Sequence, residues 1–534
     1  MRRFHSYGPV DYRHHFCVER HELVETCLRQ LIGIPNEYGH YFTIWAPRQT
    51  GKTWLMRRVR EEISERYAEQ FTVYSFSMGN LRGMNYVPSD DPNDLPLPKM
   101  LRDILETELP GNPSIRVWKD FNMLFAKESG LWDRPLILLI DEADTAPPAL
   151  LDLIVGRFRE LYLNRERHWL HGLALIGVRA VLGIESRRGS PFNIQRSLHV
   201  PNLTCDEVTE LYRQYQNESG QAIEPEVVAH IYESTRGQPG LVSWFGELLT
   251  EKYNRQPDQP IGPEQWTLVR HVARTREPNN TLLNLIAKAR DPEYRNILLK
   301  LFTTSDIPFF FHHPLHSYLY LHGIIEPETV TEPDGTLNDV CRFSSPFIQQ
   351  CLYDALSHEL IGDGMPMLAL DPLDDLADVF AANMLDMPAL LRRYQDYLAR
   401  LKTKGINPWQ GQPRRTTDLH LTEAVGHFHL FAWLRNALGS RCVVSPEFPT
   451  GNGKIDLHLR CGKQRGIIEV KSFVNAYQAK TARQQAADYA AQLGLDRVTI
   501  AMFTPVDDES VLEKLSGQET LLGVQVTMVA IGWV

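Results

Sequence analysis

The chain has no CxxC pair among its seven cysteines, no long apolar run, no internal repeat and no excess of positive charge. Each absence removes a class of protein. Cysteines scattered in odd number (Cys17, Cys27, Cys205, Cys341, Cys351, Cys442 and Cys461) argue against a disulfide framework and a thiolate zinc site, and suit a reducing cytosol. The longest apolar strand-like stretch, Leu136 to Ile140, falls far short of the roughly 20 residues that cross a bilayer, so no membrane partner is expected. The amino terminus, Met1-Arg2-Arg3-Phe4-His5-Ser6-Tyr7, is basic but has no apolar segment behind it. No secretory signal is expected, and the cytoplasm is the expected compartment. Lys and Arg total 56 against 66 Asp and Glu, a net charge of −10. That excludes a uniformly basic nucleic-acid coat but leaves room for a local basic cleft.

What is present is ordinary globular composition, 43% hydrophobic and 23% charged over 534 residues. At roughly 150 residues per domain the length implies about three or four domains. Between about Phe42 and Pro201, short β-branched or aliphatic runs (Tyr41–Trp45, Phe71–Phe76, Leu136–Ile140, Leu173–Gly177) alternate with helical stretches. That is the pattern of a parallel sheet with crossover helices. From Thr204 the pattern turns helical, with Thr204-Cys205-Asp206-Glu207 as a capping box and Glu224-Pro225-Glu226 opening the next helix. A hairpin, Gly323–Pro327 with Val340–Phe343 about Pro333-Asp334-Gly335, fits a winged-helix-like module. The last block reads helix (Thr417–Leu438), three strands (Arg441–Phe448, Lys454–Arg460, Gly466–Ser472), helix (Tyr477–Leu493) and strand (Arg497–Thr504). The expected fold class is therefore α/β multidomain. Its boundaries are a parallel-sheet core over 1–202, a helical lid over 203–278 and a winged-helix-like module over 279–362. An acidic and helical linker over 363–413 and a second α/β domain over 414–534 complete it.

Between the strand Tyr41–Trp45 and the amphipathic helix Thr53–Tyr67 stands Ala46-Pro47-Arg48-Gln49-Thr50-Gly51-Lys52-Thr53. Phosphate binding needs backbone N–H groups at a helix start, a lysine that reaches the β- and γ-phosphates, and a hydroxyl for Mg²⁺. Gly51, Lys52 and Thr53 supply these parts. Ala46 stands where a Walker A loop has its first glycine, which loosens the match. Leu136–Ile140 runs into Asp141 and Glu142, placed to hold Mg²⁺ and to polarise an attacking water. Arg179 follows the strand Leu173–Val178 within reach of a γ-phosphate. The turn Thr235-Arg236-Gly237-Gln238-Pro239-Gly240-Leu241 resembles the Gly-x-Pro turn of STAND ATPases, where Pro239 would lie near adenine. With Ser190-Pro191-Phe192-Asn193-Ile194, roughly the first 250 residues resemble the AAA-like branch of AAA+/STAND P-loop ATPases. The resemblance implies ATP and Mg²⁺ as cofactors and a switch that is often oligomeric. Arg157 and Arg159 are candidates, by chain position alone, for an arginine supplied across a subunit interface.

The last block carries Gly453-Lys454-Ile455-Asp456-Leu457 and Ile467-Ile468-Glu469-Val470-Lys471. Strand side chains alternate, so Glu469 and Lys471 share a face while Ile468 and Val470 enter the core. The turn Cys461–Gln464 can bring Asp456 beside Glu469. Those carboxylates and the Val470 carbonyl would make an oxygen-rich Mg²⁺ site, with Lys471 to orient water or offset phosphate charge. This resembles the PD-(D/E)XK nuclease superfamily, in element order as well as in motif. Glu423 on the first helix and the i, i+4 pair Gln485 and Tyr489 on the second match further elements of that family. From Arg414 onward 13 Lys and Arg face 12 Asp and Glu, near neutral in an acidic chain. Lys454, Lys463, Arg465, Lys480 and Arg483 are candidate phosphate contacts. His420, His427 and His429 read as packing rather than ligands.

The resulting expectation is an ATP-regulated, Mg²⁺-dependent nuclease acting on DNA, with RNA left open. By analogy with sensor ATPases paired with nucleases, it implies bacterial defence against phage or plasmid DNA. Two alternatives stand beside it. One is a repair or recombination ATPase-nuclease, the other a non-cleaving, NTP-dependent nucleic-acid-binding regulator.

Overall fold

The computed structural model describes residues 1–35, 37–86, 97–111, 113–178, 196–302, 307–331, 335–361, 379–380, 385–412, 414–415, 418–438, 442–447, 456–461, 464–492 and 494–533. The chain forms two compact units. The first is Met1–Leu283 with Ser317–Ile325 and Ser344–Phe347; the second is Asn284–His316, Glu326–Phe343 and Ile348–Val534.

The first unit is built on five parallel strands: β1 (Tyr41–Trp45), β2 (Thr72–Ser77), β3 (Leu136–Asp141), β4 (Leu170–Gly177) and β5 (Arg196–His199). Their order across the sheet is β2-β3-β4-β1-β5. Alternation along the strands separates two cores. Leu136, Leu138 and Ile140 of β3 join Leu173 and Leu175 of β4 on one face, against the helices Lys99–Glu108 and Pro148–Leu163. Ile137 and Leu139 join Phe42, Ile44, Ala174 and Ile176 on the other, against His21–Ile32 and Lys52–Arg66. A sheet covered on both faces needs strands apolar at every position, and this is why β3 reads as an unbroken aliphatic run. The chain leaves β1 for the sheet's far edge, returns to β4 beside it, and then crosses to β5 on its other side. That reversal places a crevice at the carboxyl end of β1, where ligands settle in open α/β sheets. Beyond the sheet, the expected capping box is formed: Thr204 Oγ1 accepts from the Glu207 N–H at 3.2 Å, and Glu207 Oε2 accepts from the Thr204 N–H at 2.8 Å.

The second unit contains the hairpin of β6 (Ile325–Thr331) and β7 (Leu337–Phe343), and a mixed sheet. The sheet's strands are β8 (Val443–Glu447), β9 (Asp456–Cys461), β10 (Gln464–Ser472), β11 (Arg497–Thr504), β12 (Gly517–Leu521) and β13 (Val524–Gly532). They run in the order β12-β13-β11-β10-β9-β8, with β10, β11 and β13 parallel. The helix Ala476–Gln492 lays Ala486, Ala487 and Ala490 on Ile467, Ile500, Met502 and Val526. Small side chains let it approach the sheet closely. The helix Glu423–Leu438 packs on β10 and β11, and Gly426 lies against the Phe503 ring, where a Cβ would come within 2.6 Å of Cδ2.

Three features differ from the expectation. The helix Met387–Thr403, read as part of a linker, is buried through Leu390, Leu391, Tyr394 and Leu401. Its Gln395 Nε2 donates to the Ala530 carbonyl of β13 at 2.7 Å. Its apolar stripe is wide enough to cover a sheet face, which a free linker does not need. Strands β12 and β13 extend the sheet beyond the expected elements. Finally, Cys442 and Cys461, 19 residues apart, form a disulfide, because the antiparallel register of β8 and β9 sets them opposite with Cα atoms 4.2 Å apart. The remaining five cysteines are free thiols. The acidic segment Asp371–Asp378 lies outside the described residues.

Candidate functional site

In the first unit the loop after β1 turns through Gln49 (φ 59°) and Gly51 (φ 93°) into the helix Lys52–Arg66. Left-handed residues in this position turn successive N–H groups inward, and the helix start leaves its first N–H groups without intrahelical acceptors. The loop is closed from within: Thr50 Oγ1 donates to the Pro47 carbonyl at 2.8 Å. Lys52 Nζ donates to the carbonyls of Ala46 at 2.8 Å and Pro47 at 2.5 Å. Burial lowers the Lys52 pKa to about 8, while Asp144 and then Asp141 pull it back up. A half-buried ammonium held by two carbonyls, with Asp144 and Asp141 nearby, fits a phosphate, which would add a full negative charge in place of neutral acceptors.

Thr53 Oγ1 donates to Asp141 Oδ2 at 2.7 Å, although 88 residues separate them. This hydroxyl–carboxylate pair is a donor set that fits Mg²⁺. Asp141 is buried, and its other oxygen accepts from the Glu142 N–H at 2.8 Å. Glu142 has φ 52°, a strained backbone for a residue with a side chain. Its carboxylate accepts from Ser77 Oγ at 3.0 Å and lies 4.0 Å from Arg82. A Cβ on Gly79 would strike that carboxylate, so glycine there leaves Glu142 its place.

Residues beyond the motifs complete this site. Asp144, three residues after Asp141, accepts from the Val178 N–H at 3.0 Å. A third acid so near the strand end was a legible signal, and it was missed. The turn at Arg236 (φ 50°) and Gly237 (φ 71°) leads into the helix Pro239–Glu247 and docks on the phosphate-type loop. Its Gly240 N–H donates to the Gln49 carbonyl at 3.1 Å, and Gln238 Nε2 donates to the Arg48 carbonyl at 3.2 Å. Pro239 is thus adjacent to the loop, while no spacing rule could have paired Gln238 with Arg48. Arg179 and Ser190–Ile194 lie outside the described residues. Arg157 is buried and paired with Glu160 at 3.0 Å on its own helix, which corrects its candidacy as an arginine offered to another subunit.

In the second unit, β9 and β10 pair so that Asp456 stands directly opposite Glu469. Glu469 and Lys471 share one face of β10 and form an ion pair, with Lys471 Nζ also 3.9 Å from Glu423 Oε1. Glu423 is the first residue of the helix Glu423–Leu438. Contrary to a plain alternation of core and solvent, Glu469 and Lys471 are as buried as Ile468 and Val470. The helix covers the face that the strand pattern alone would leave open. Val470 pairs with Ala501 of β11. A buried ion pair of this kind adds little net stability over an apolar pair of the same size, because desolvation offsets the Coulombic gain. His427, one turn after Glu423, is fully buried, and burial followed by the nearby Lys471 charge lowers its pKa to about 3. His429 is likewise lowered to about 3 by burial, and its Nδ1 lies 2.5 Å from Tyr394 Oη. Both are neutral packing groups; His420 precedes the helix.

Glu423, Lys471 and Gln485 open onto a cleft of about 1110 Å³, with Arg414 and Arg415 among its lining residues. Tyr489 is half-buried on the same helix as exposed Gln485. Of the candidate phosphate contacts, Arg465 and Lys480 are exposed, Arg483 lies 3.4 Å from Glu519, and Lys454 and Lys463 fall outside the described residues. Among the described residues no group of three His, Cys, Asp or Glu side chains is arranged to hold a metal ion.

These sites sit in an α/β protein whose first unit carries a five-strand parallel sheet flanked by helices. Solved structures that resemble it are P-loop ATPases. A Walker-type ATPase of Pyrococcus abyssi is 15% identical, with 65% of this chain and 99% of that one covered at a TM-score of 0.43. The ORC1 protein of Aeropyrum pernix, solved with DNA, is 15% identical over 64% and 94% at 0.32. The RuvB Holliday junction branch migration motor of Thermotoga maritima is 15% identical over 60% and 91% at 0.33. No family model matches the chain, and no curated protein matches it. Among the described residues, no helix is long and apolar enough to cross a membrane.

Proposed function

We propose that the chain is an ATP-regulated, Mg²⁺-dependent nuclease. In the first unit, Lys52 and the N–H groups of Gly51 and Thr53 would hold the β- and γ-phosphates, with Pro47, Arg48, Gln49 and Thr50 shaping the loop. Thr53 and Asp141 would hold Mg²⁺, whose charge offsets that of the phosphates. Glu142 would orient water. In the second unit, Asp456, Glu469 and the Val470 carbonyl would hold Mg²⁺ beside a scissile phosphate, where the ion supplies Lewis-acid polarisation. Lys471 would balance phosphate charge, with Glu423 and Gln485 positioning groups around it. DNA would be the substrate, with RNA left open, and an oligomeric, cytoplasmic defence role follows by analogy only.

The observation that carries this reading is the buried Glu469–Lys471 pair beside Glu423, opening onto a cleft edged by arginines. A second reading, a regulator that holds nucleic acid without cutting it, is favoured by one contact: the Lys471 ammonium rests on the carboxylate that a metal would need. Incubation of the purified chain with plasmid, linear and single-stranded DNA and with RNA, with and without Mg²⁺ and ATP, separates the two. Mg²⁺-dependent cleavage that Asp456→Ala, Glu469→Ala and Lys471→Ala each abolish supports the nuclease. Binding without cleavage under every condition leaves the regulator.

A further inference from the structure

The cleft at Lys471 is not made by the nuclease-like sheet and its helices alone. The helix Pro292–Leu301, from a different part of the chain, forms a wall of it through Arg295, Asn296, Leu299 and Lys300. Aromatic packing anchors that helix. Phe302, at its end, meets Phe428 edge-on at 5.8 Å and Tyr353 at 5.3 Å. Tyr353 in turn packs on Phe428 at 4.6 Å and on His427 at 5.6 Å. Phe428 and His427 belong to the helix that begins with Glu423, so the wall is tied to the element bearing a site residue.

We infer that Arg295 and Lys300 are phosphate-positioning residues for a single strand of nucleic acid led through this cleft to Lys471. Two observations carry this. Arg295, Lys300, Arg414 and Arg415 line one opening in which Glu423 is the one acid among the lining residues; Arg415 is paired with Asp418 at 2.8 Å, and the rim is still net positive in a chain of net charge −10. The half-buried Phe473 lines the cleft, and Val474 and Tyr477, 41% and 79% exposed, follow it in the chain. Phe473 is the one aromatic residue among those lining the cleft, and a basic groove with an aromatic face on which a base can stack is how proteins grip single strands without reading sequence. The volume of about 1110 Å³ is near the upper size of small-molecule sites, roughly 300–1,000 Å³. It has room for a few nucleotides of one strand, whose unpaired bases can reach Phe473, whereas the bases of a duplex are stacked and paired inside it.

The inference rests on the nuclease-type reading of the site but is tested without cleavage. Binding of a fluorescent single-stranded 20-mer and of its blunt duplex to the full chain is titrated in EDTA over a range of salt. The parent should prefer the single strand. Arg295→Ala and Lys300→Ala should each weaken it roughly three- to tenfold and lower the salt slope by about 0.7, one phosphate contact's share. Arg295→Lys should retain most of the slope, which separates lost charge from lost packing, and ATP binding reports that the first unit is intact. With Mg²⁺, both alanine variants should raise KM and leave kcat unchanged. Equal or tighter binding of the duplex, or salt slopes unchanged in both alanine variants, overturns the inference. Altered slopes in a protein that never cleaves would sink the nuclease reading alone.

Discussion

At the scale of single residues, two sets of groups have protonation states set by burial. Lys52 is lowered to about 8 by desolvation, so part of its charge is lost as pH rises through that value. Bound phosphate would favour the ammonium, so nucleotide affinity should be highest below pH 8 and fall above it. A fluorescent-nucleotide titration from pH 7 to pH 9.5 measures this, and a flat profile would contradict it. Lys52→Ala should weaken binding by roughly 30- to 150-fold, the ~2–3 kcal/mol of a charge-assisted hydrogen bond. Glu142→Gln should bind normally and turn over slowly, because an amide accepts a proton poorly. His427 and His429 are both lowered to about 3 by burial. Between that value and the ordinary 6.5 the unfolded chain binds protons that the native chain does not, so stability is full above 6.5 and lost as pH falls. The slope is about 1.4 kcal/mol per pH unit for each histidine. His429→Leu also strands the Tyr394 hydroxyl, so His427→Leu is the cleaner test. Its denaturant midpoint should decline less between pH 6.5 and 4 than the parent's.

Among elements, the β8–β9 pair is held by more than its hydrogen bonds. The disulfide Cys442–Cys461 closes a loop across a sequence separation of 19, whose entropy in the unfolded chain is worth about 3 kcal/mol. Cys442→Ser should lower the melting temperature of the second unit, and reductant should do the same to the parent but not to the variant. Identical melting of the oxidised parent and the variant would show that the bond adds nothing. The same pair carries Asp456, opposite Glu469, at its other end. Loosening β9 should therefore reduce cleavage as well as stability.

For the whole molecule, the proposed coupling requires nucleotide to bind two arrangements of the chain unequally. A roughly hundredfold shift needs about 2.7 kcal/mol of differential binding. Cleavage by the parent, Lys52→Ala and Glu142→Gln is compared at fixed Mg²⁺ with and without ATP, alongside the mass of the assembly. The parent should respond to ATP and Lys52→Ala should not. Equal rates in all three, with an unchanging assembly, would mean that the two units are merely joined.

In the first sheet, β1, β3 and β4 were legible because both of their faces are buried and their runs are largely apolar, and the capping box at Thr204 because its residue types mark it; β5, Arg-Ser-Leu-His over Arg196–His199, carries no such run and was not expected. The loop Ala46–Thr53 and the strand bearing Glu469 and Lys471 stood out in the sequence because their residue types are compressed into a few consecutive positions, and the structure places each between the elements expected around it. Pairings across long separations were not legible. Thr53 with Asp141, Gln238 with the loop carbonyls, and Cys442 with Cys461 depend on strand order and register, which local pattern leaves undetermined. Nor does alternation reveal that Lys471 and Glu469 are covered, since a helix laid over a strand writes its presence in its own sequence, not in the strand's. The amino-acid order by itself marked the short segments proposed to hold phosphate or metal. Only the tertiary structure decided that Glu423 and the helix Pro292–Leu301 share a cleft with Lys471, because bringing distant segments together is the work of packing, whose energy belongs to the pair and to neither sequence alone.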